Sequence, residues 1–306
     1  MKKVVVTGAN GFVGSHLVKE LINKGIEVLA IIRNEKSNID NIAFLPKVRI
    51  IYCDLIDFQT LDEKIPDRDV DVFYHLAWAG VSTDAKNDFT LQYENIRFCV
   101  NALTAANRLN CKLFIGTGTV AEYVYCDKPM NESFAPSPTD IYGAAKVSSK
   151  MFCKVIAKRI GQSMIWTILP SVYGEGREDK NILTYAIKTF LRNEKPSFTK
   201  LEQMWDFLYI DDLVKALYLI GIKGKKGETY GIGSGVFRTM RYYVESIRDI
   251  INMDLPIGIG DIPYFDDRIP SSCVDITKLS ADTGFSPSYT FEQGIRRTIQ
   301  WYKTID

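Results

Sequence analysis

Five short apolar runs punctuate the first half of the chain, at residues 4–7, 28–32, 48–53, 72–76 and 113–117. They are rich in Val and Ile and carry few polar positions, the pattern of strands buried on both faces of a parallel sheet. Segments with helical spacing lie between them. Val13, Leu17 and Leu21 share one face, and longer helices are predicted over 88–109 and 141–160. Strand and helix alternating in this way imply right-handed crossovers and a doubly wound parallel α/β sheet. After about Gly174 the alternation loosens and Gly and Pro become frequent, as at Gly224, Gly227, Gly231, Gly233, Gly235, Pro256, Pro263 and Pro270. This predicts a sheet domain over 1–173, with returning segments near 204–232 and 265–280, and a smaller α/β lobe drawn mainly from 174–306.

The first turn of the pattern carries a chemical signal. Thr7-Gly8-Ala9-Asn10-Gly11-Phe12-Val13-Gly14 closes the first predicted strand and opens the first helix. Gly8 suits a tight turn, Gly11 admits close approach of a pyrophosphate, and Gly14 lets helix pack on strand. Free N–H groups at the helix start then face the phosphate charge, with Asn10, Phe12 and Val13 on the same wall. A purely structural glycine turn is the plainer alternative, but a turn between this strand and this helix is where a dinucleotide binds. After the third strand, Asp54-Leu55 suits the adenine edge, and Asp54 equally suits a helix cap.

At the end of the second strand an NAD site places a carboxylate for the ribose hydroxyls. Here the chain reads Ile32-Arg33-Asn34. Ile32 leaves that acid out, and Arg33 can meet a 2′-phosphate with charge-assisted bonds, with Asn34 and Ser37 as further donors. The expectation is NADP(H), with NAD(H) kept open and an ordinary surface arginine as the alternative for Arg33.

Tyr142-Gly143-Ala144-Ala145-Lys146 opens the second long predicted helix, and its i, i+4 spacing puts both ends on one face. A free phenol, with a pKa of about 10, is a poor acid–base group at neutral pH. A nearby ammonium and a cationic nicotinamide are expected to draw it toward the working range. Upstream, Thr119 ends the fifth strand at the carboxyl edge of the sheet, where a doubly wound fold binds ligands. Its hydroxyl is placed to bond a substrate oxygen, and a capping role is the alternative.

Composition narrows the class. The chain of 306 residues is 46% apolar and 25% charged, as in an ordinary globule, and its net charge of +1 offers no field for nucleic acid or an anionic membrane. Six cysteines, Cys53, Cys99, Cys111, Cys126, Cys153 and Cys273, are dispersed without a C-x-x-C pair, and there are two histidines. No disulfide framework or metal site is expected. The apolar run after Met1-Lys2-Lys3 is too short for a signal-peptide core, so a cytoplasmic location is expected.

With these residues placed, the chain resembles the NAD-dependent epimerase/dehydratase family, extended short-chain dehydrogenases on a Rossmann sheet. His75-Leu76-Ala77-Trp78-Ala79-Gly80, Gln92-Tyr93-Glu94-Asn95-Ile96, Val172-Tyr173-Gly174, Asp206-Phe207-Leu208-Tyr209-Ile210-Asp211-Asp212 and Gly284-Phe285-Ser286-Pro287 are all similar to its motifs. The resemblance implies that Leu76, Ala77, Trp78, Thr117, Pro170 and Val172 line the cofactor. Asn95 is a further cofactor-site candidate, anchoring structure or water there. It makes Tyr142, Lys146 and Thr119 the catalytic set, with Trp78, Thr119 and Ser171 as substrate contacts. Arg268 stands where relatives place a diphosphate-binding Arg, and a surface salt bridge accounts for it equally well.

Family members that eliminate water carry Asp-Glu directly after the Thr, whereas here Val120-Ala121 follow Thr119. Gly118-Thr119-Val120-Ala121-Glu122-Tyr123 instead resembles the G-S-Q-x-E-Y of NADPH-linked 4-keto-6-deoxyhexose reductases. Ser171 stands for a common substrate-binding Asn, and Trp205 for an Arg. The resemblance therefore implies NADPH-dependent reduction of a nucleoside-diphosphate 4-keto-6-deoxyhexose. The alternatives are a C4 epimerase with retained NAD, a reductase of non-sugar carbonyls, or a non-catalytic NADP-sensing regulator. It also implies a homodimer through a bundle of the two long helices from each subunit.

Overall fold

The computed structural model describes residues 1–123, 128–177, 179–264 and 271–305. Cys126 and the candidate ligand Arg268 lie outside them. In chain order the elements are β1 (Lys3–Thr7), α1 (Phe12–Asn23), β2 (Glu27–Ile32), β3 (Val48–Tyr52), β4 (Val72–His75), α2 (Thr83–Lys86), α3 (Phe89–Arg108), β5 (Leu113–Thr119), α4 (Ile141–Ile160), β6 (Met164–Leu169) and β7 (Ser171–Tyr173). There follow α5 (Ile182–Leu191), β8 (Ser197–Phe198), β9 (Met204–Trp205), β10 (Phe207–Tyr209), α6 (Ile210–Lys223), β11 (Thr229–Gly231), β12 (Arg238–Thr239), α7 (Met240–Asn252), β13 (Gly258–Ile259), α8 (Thr277–Thr283) and α9 (Phe291–Ile305).

Seven strands form one parallel sheet in the order β11-β6-β5-β4-β1-β2-β3. The order reverses between β1 and β4, and the crevice at their carboxyl ends is the natural ligand site of a doubly wound sheet. Four of the five apolar runs are covered on both faces, whereas β3, at the edge of the sheet, is only half-buried. Val4 and Val6 face the core shared with α1 and α6, while Val5 faces the core beneath α3. The first of these cores continues without a break into α5, α7 and α9, so the C-terminal half packs directly onto the sheet.

Two local features position the chemistry. β5 ends at Thr119, as expected, because Gly118 and Thr119 pair with Ile168 and Leu169 of β6. Asp140 caps α4 by accepting the Gly143 N–H at 2.6 Å, which starts the helix immediately before Tyr142. No helix among the described residues is long and apolar enough to cross a membrane.

Candidate active site

The glycine loop forms by close backbone approach. Gly8 has φ +65°, and a Cβ there would lie 3.0 Å from the backbone of Ala77 on the β4 loop. A Cβ on Gly14 would overlap the Gly8 carbonyl oxygen and lie 2.9 Å from Ala9 Cα. Thr7 ties the two loops together, its hydroxyl accepting the N–H groups of Leu76 and Ala77 at 3.1 Å each and meeting His75 Nδ1 at 3.0 Å. A cleft of about 550 Å³ results, lined by Gly8, Asn10, Gly11, Arg33, Leu55 and Ala77 among others. It shares Phe12, Val13, Leu76, Trp78 and Val81 with a second cleft of about 560 Å³ that reaches Thr119, Tyr142 and Lys146. This bare cradle, with room for backbone and phosphate but for no Cβ, fits an extended dinucleotide.

Several predicted residues have other work. Asp54 caps the following turn through Ile56 N–H, and its carboxylate lies 3.9 Å from Arg33 Nε, while its neighbour Leu55 lines the cleft. The Asn34 side-chain oxygen accepts the Lys36 N–H at 3.0 Å, so it turns toward its own backbone. Asn95 is buried behind the Trp78 loop and holds Ala79 by both its N–H and its carbonyl, at 2.9 and 2.8 Å. It shapes the wall from outside and does not line it. Ile32 is buried in the core, whereas Ile31 and Arg33 on either side of it line the cleft.

At the other end, Thr117, Thr119, Tyr142, Lys146, Pro170, Ser171 and Val172 all line one cleft. α4 comes close enough because residue 143 is glycine, where a Cβ would lie 2.6 Å from the Ala121 carbonyl oxygen. Thr119 fills the capping role the sequence allows, its oxygen accepting the Ala121 N–H at 3.3 Å, and it lines the cleft beside Tyr142.

Lys146 is buried, donates to the Thr117 carbonyl at 2.8 Å, and sits 3.7 Å from the centroid of the Trp78 ring. Its ammonium lies 5.8 Å from the centroid of the Tyr142 ring. Burial lowers the Lys146 pKa to about 8, against the pull of Cys99 and Glu122. In the protein alone burial pushes Tyr142 up to about 12, with the neighbouring Thr119 hydroxyl acting in the opposite sense. The downward pull of an ammonium and a cationic nicotinamide together belongs to the cofactor-loaded enzyme.

Sequence reasoning missed three features. Lys86 of α2 places its ammonium 5.0 Å from the Tyr142 ring centroid, though a lone Lys in a polar loop carries no signal. Cys99 and Cys153, 54 residues apart, meet at 3.6 Å between α3 and α4 as buried free thiols. Trp205 donates to the Ser171 hydroxyl at 2.9 Å, so two substitutions weighed separately form one unit of the cleft wall. The carboxylates of the motif over 206–212 are structural. Asp206 accepts from Ser234, and Asp212 accepts from the Ser288 and Tyr289 N–H groups.

Comparison with known proteins agrees with this geometry. The dTDP-glucose 4,6-dehydratase of Shigella flexneri is 26% identical over 337 residues, spanning 98% of this chain and 92% of that protein. Among solved structures, a UDP-N-acetylglucosamine 4-epimerase from Methanobrevibacter ruminantium in complex with UDP-N-acetylmuramic acid aligns with a TM-score of 0.88 and 26% identity, covering 99% of this chain and 98% of that one. A UDP-glucuronic acid 4-epimerase from Bacillus cereus, in complex with UDP-glucuronic acid and NAD, aligns at 0.86 and 25% identity, covering 99% and 100%. The model of the NAD dependent epimerase/dehydratase family matches residues 4–233, which is the whole parallel sheet from β1 to β11. The chain belongs to that family, as an enzyme of the extended short-chain dehydrogenase type.

Proposed function

We propose that the enzyme reduces the 4-keto group of a nucleoside-diphosphate 4-keto-6-deoxyhexose, with NADPH as the preferred cofactor. The observation that carries this reading is the cleft wall beside Thr119. Val120 and Ala121 occupy it, and neither can supply the acid or base that loss of water requires. Bound NADPH supplies the hydride to C4. Tyr142 donates its proton to the 4-oxygen, Thr119 polarises that oxygen from the strand end, and Lys146 grips the nicotinamide ribose. A Tyr142 held protonated by its surroundings is in the state that begins a reduction.

The test is oxidation of NADPH and NADH with dTDP-, CDP-, GDP- and UDP-linked 4-keto-6-deoxy sugars. Net NADPH consumption supports the reading. Interconversion of UDP-sugars without net consumption transfers it to a C4 epimerase, the activity named for the two structural relatives above.

The cofactor preference rests on Arg33, whose exposed guanidinium is free to swing from Asp54 to a 2′-phosphate. Arg33→Ser should raise the NADPH Kd about 10- to 100-fold, the range for losing charge-assisted bonds, and leave the NADH Kd little changed. Equal loss for both cofactors would assign Arg33 to the fold and not to the phosphate.

The homodimer is proposed on the outer face of α3 and α4. Phe89, Tyr93, Met151, Phe152 and Val155 of these two helices are all exposed, and large apolar side chains exposed together mark an interaction surface. A second copy of the same two helices would bury it in a four-helix bundle. Sedimentation at micromolar concentration should give a dimer, and Phe152→Asp a monomer. A monomeric native protein rules the interface out.

A further inference from the structure

Trp205 stands at the cleft wall in a frame that leaves its indole little freedom. β9 pairs with β12 through Trp205 and Arg238, Ser272 forms a further bridge to Trp205, and the Tyr243 hydroxyl donates to the Trp205 carbonyl at 3.0 Å. The ring lies tilted on Phe207, with centroids 6.4 Å apart. Phe207 is the residue that β10 sets opposite Ser171 of β7, and from beside it the Trp205 Nε1–H donates to the Ser171 hydroxyl at 2.9 Å.

That bond decides what Ser171 can offer. An indole N–H donates and never accepts, so the Ser171 oxygen is the acceptor and its own proton is left over. Among the described residues that proton meets no acceptor, and Ser171 lines the cleft. The hydroxyl of Ser272, buried and on the wall of the same cleft, also has no partner among the described residues. Donors left unspent beside a cleft point to a ligand that accepts.

Position narrows that ligand. Thr119 pairs with Leu169, and Ser171 follows two residues later, at most about 7 Å of chain. With the 4-oxygen of a hexose at Thr119, Ser171 is placed toward the far side of the ring, where C1 carries the diphosphate. Sugar hydroxyls can donate or accept, whereas ionised phosphoryl oxygens only accept. Resting on the nucleotide-sugar part of the reading above, we propose that Trp205 is a positioning residue that fixes Ser171 as a donor to the phosphoryl oxygens next to the sugar.

Binding tests this more directly than turnover. The measurement is the calorimetric Kd of UDP, dTDP, CDP and GDP on the NADPH-loaded enzyme, continued with whichever binds the wild type most tightly. Ser171→Ala should raise that Kd about 10-fold or more, the range for a hydrogen bond to a charged group. Trp205→Phe keeps an aromatic ring and removes the N–H, so Ser171 can turn, and the Kd should rise about 3- to 10-fold. In the Ser171→Ala background the same change should add less than about twofold, because the indole then has no hydroxyl to orient. The NADPH Kd should stay at the wild-type value throughout.

A purely structural Trp205 gives losses that multiply in the double variant, and such losses overturn the proposal. So does a native Kd in either single variant. If the Phe variant does not fold, benzothienylalanine at position 205, the same shape without the N–H, takes its place in the same cycle. The NADPH oxidation panel on the wild type separates the two failures. Net NADPH consumption beside a native Kd in Trp205→Phe sinks only the role of Trp205. The expected cycle beside no net consumption sinks only the reductase reading. Binding of none of the four diphosphates overturns the proposal together with the nucleotide-sugar reading on which it rests.

Discussion

Tyr142→Phe is expected to lower turnover about 10²- to 10⁴-fold, the usual contribution of a positioned general acid, with the NADPH Kd nearly unchanged. The phenol lines the cleft beside Thr119, and the ring itself packs edge-on against Trp78 at 6.0 Å. Removing the hydroxyl leaves that packing intact, so the change should appear in kcat and not in melting temperature. Single-turnover oxidation of bound NADPH measures it directly. Full turnover in the Phe variant would move the proton source elsewhere.

Gly14→Ala should act through the backbone. Its Cβ would overlap the Gly8 carbonyl oxygen and lie within 3 Å of Gly8 C and Ala9 Cα, all main-chain atoms. None of these can turn aside as a flexible side chain can. Overpacking of this kind typically costs about 1–3 kcal/mol, roughly 2–5 °C in Tm for a chain of this size. Because the displaced turn is also the phosphate cradle, NADPH affinity should fall at least about tenfold. Thermal melting and a fluorescence titration with NADPH check both. A variant with native Tm and native Kd would show that helix and strand do not approach as closely as Gly14 requires.

The parallel sheet, the glycine turn and the Tyr142–Lys146 spacing were legible in the chain because each is a local pattern. Five doubly apolar runs can be buried only inside a layered sheet, glycine at positions 8, 11 and 14 answers short-range backbone clashes, and i, i+4 spacing selects a helix face whatever the helix packs against.

Burial and long-range pairing were not legible. Asn95 is read from the sequence as anchoring structure or water near the cofactor, and only the fold shows which structure it anchors, Ala79 on the loop after β4. Cys99 and Cys153 looked dispersed until α3 packed on α4. Lys146 was expected to tune Tyr142 through its charge. Only the fold places its ammonium on the Thr117 carbonyl and over Trp78, and only the fold removes enough water to raise the phenol to about 12 and lower the amine to about 8.

The identities of the acid, the amine and the phosphate turn are thus written in residue type and spacing. Their protonation states depend on which groups the packed sheet desolvates. Desolvation is a property of the whole assembled core, so no window of sequence contains it.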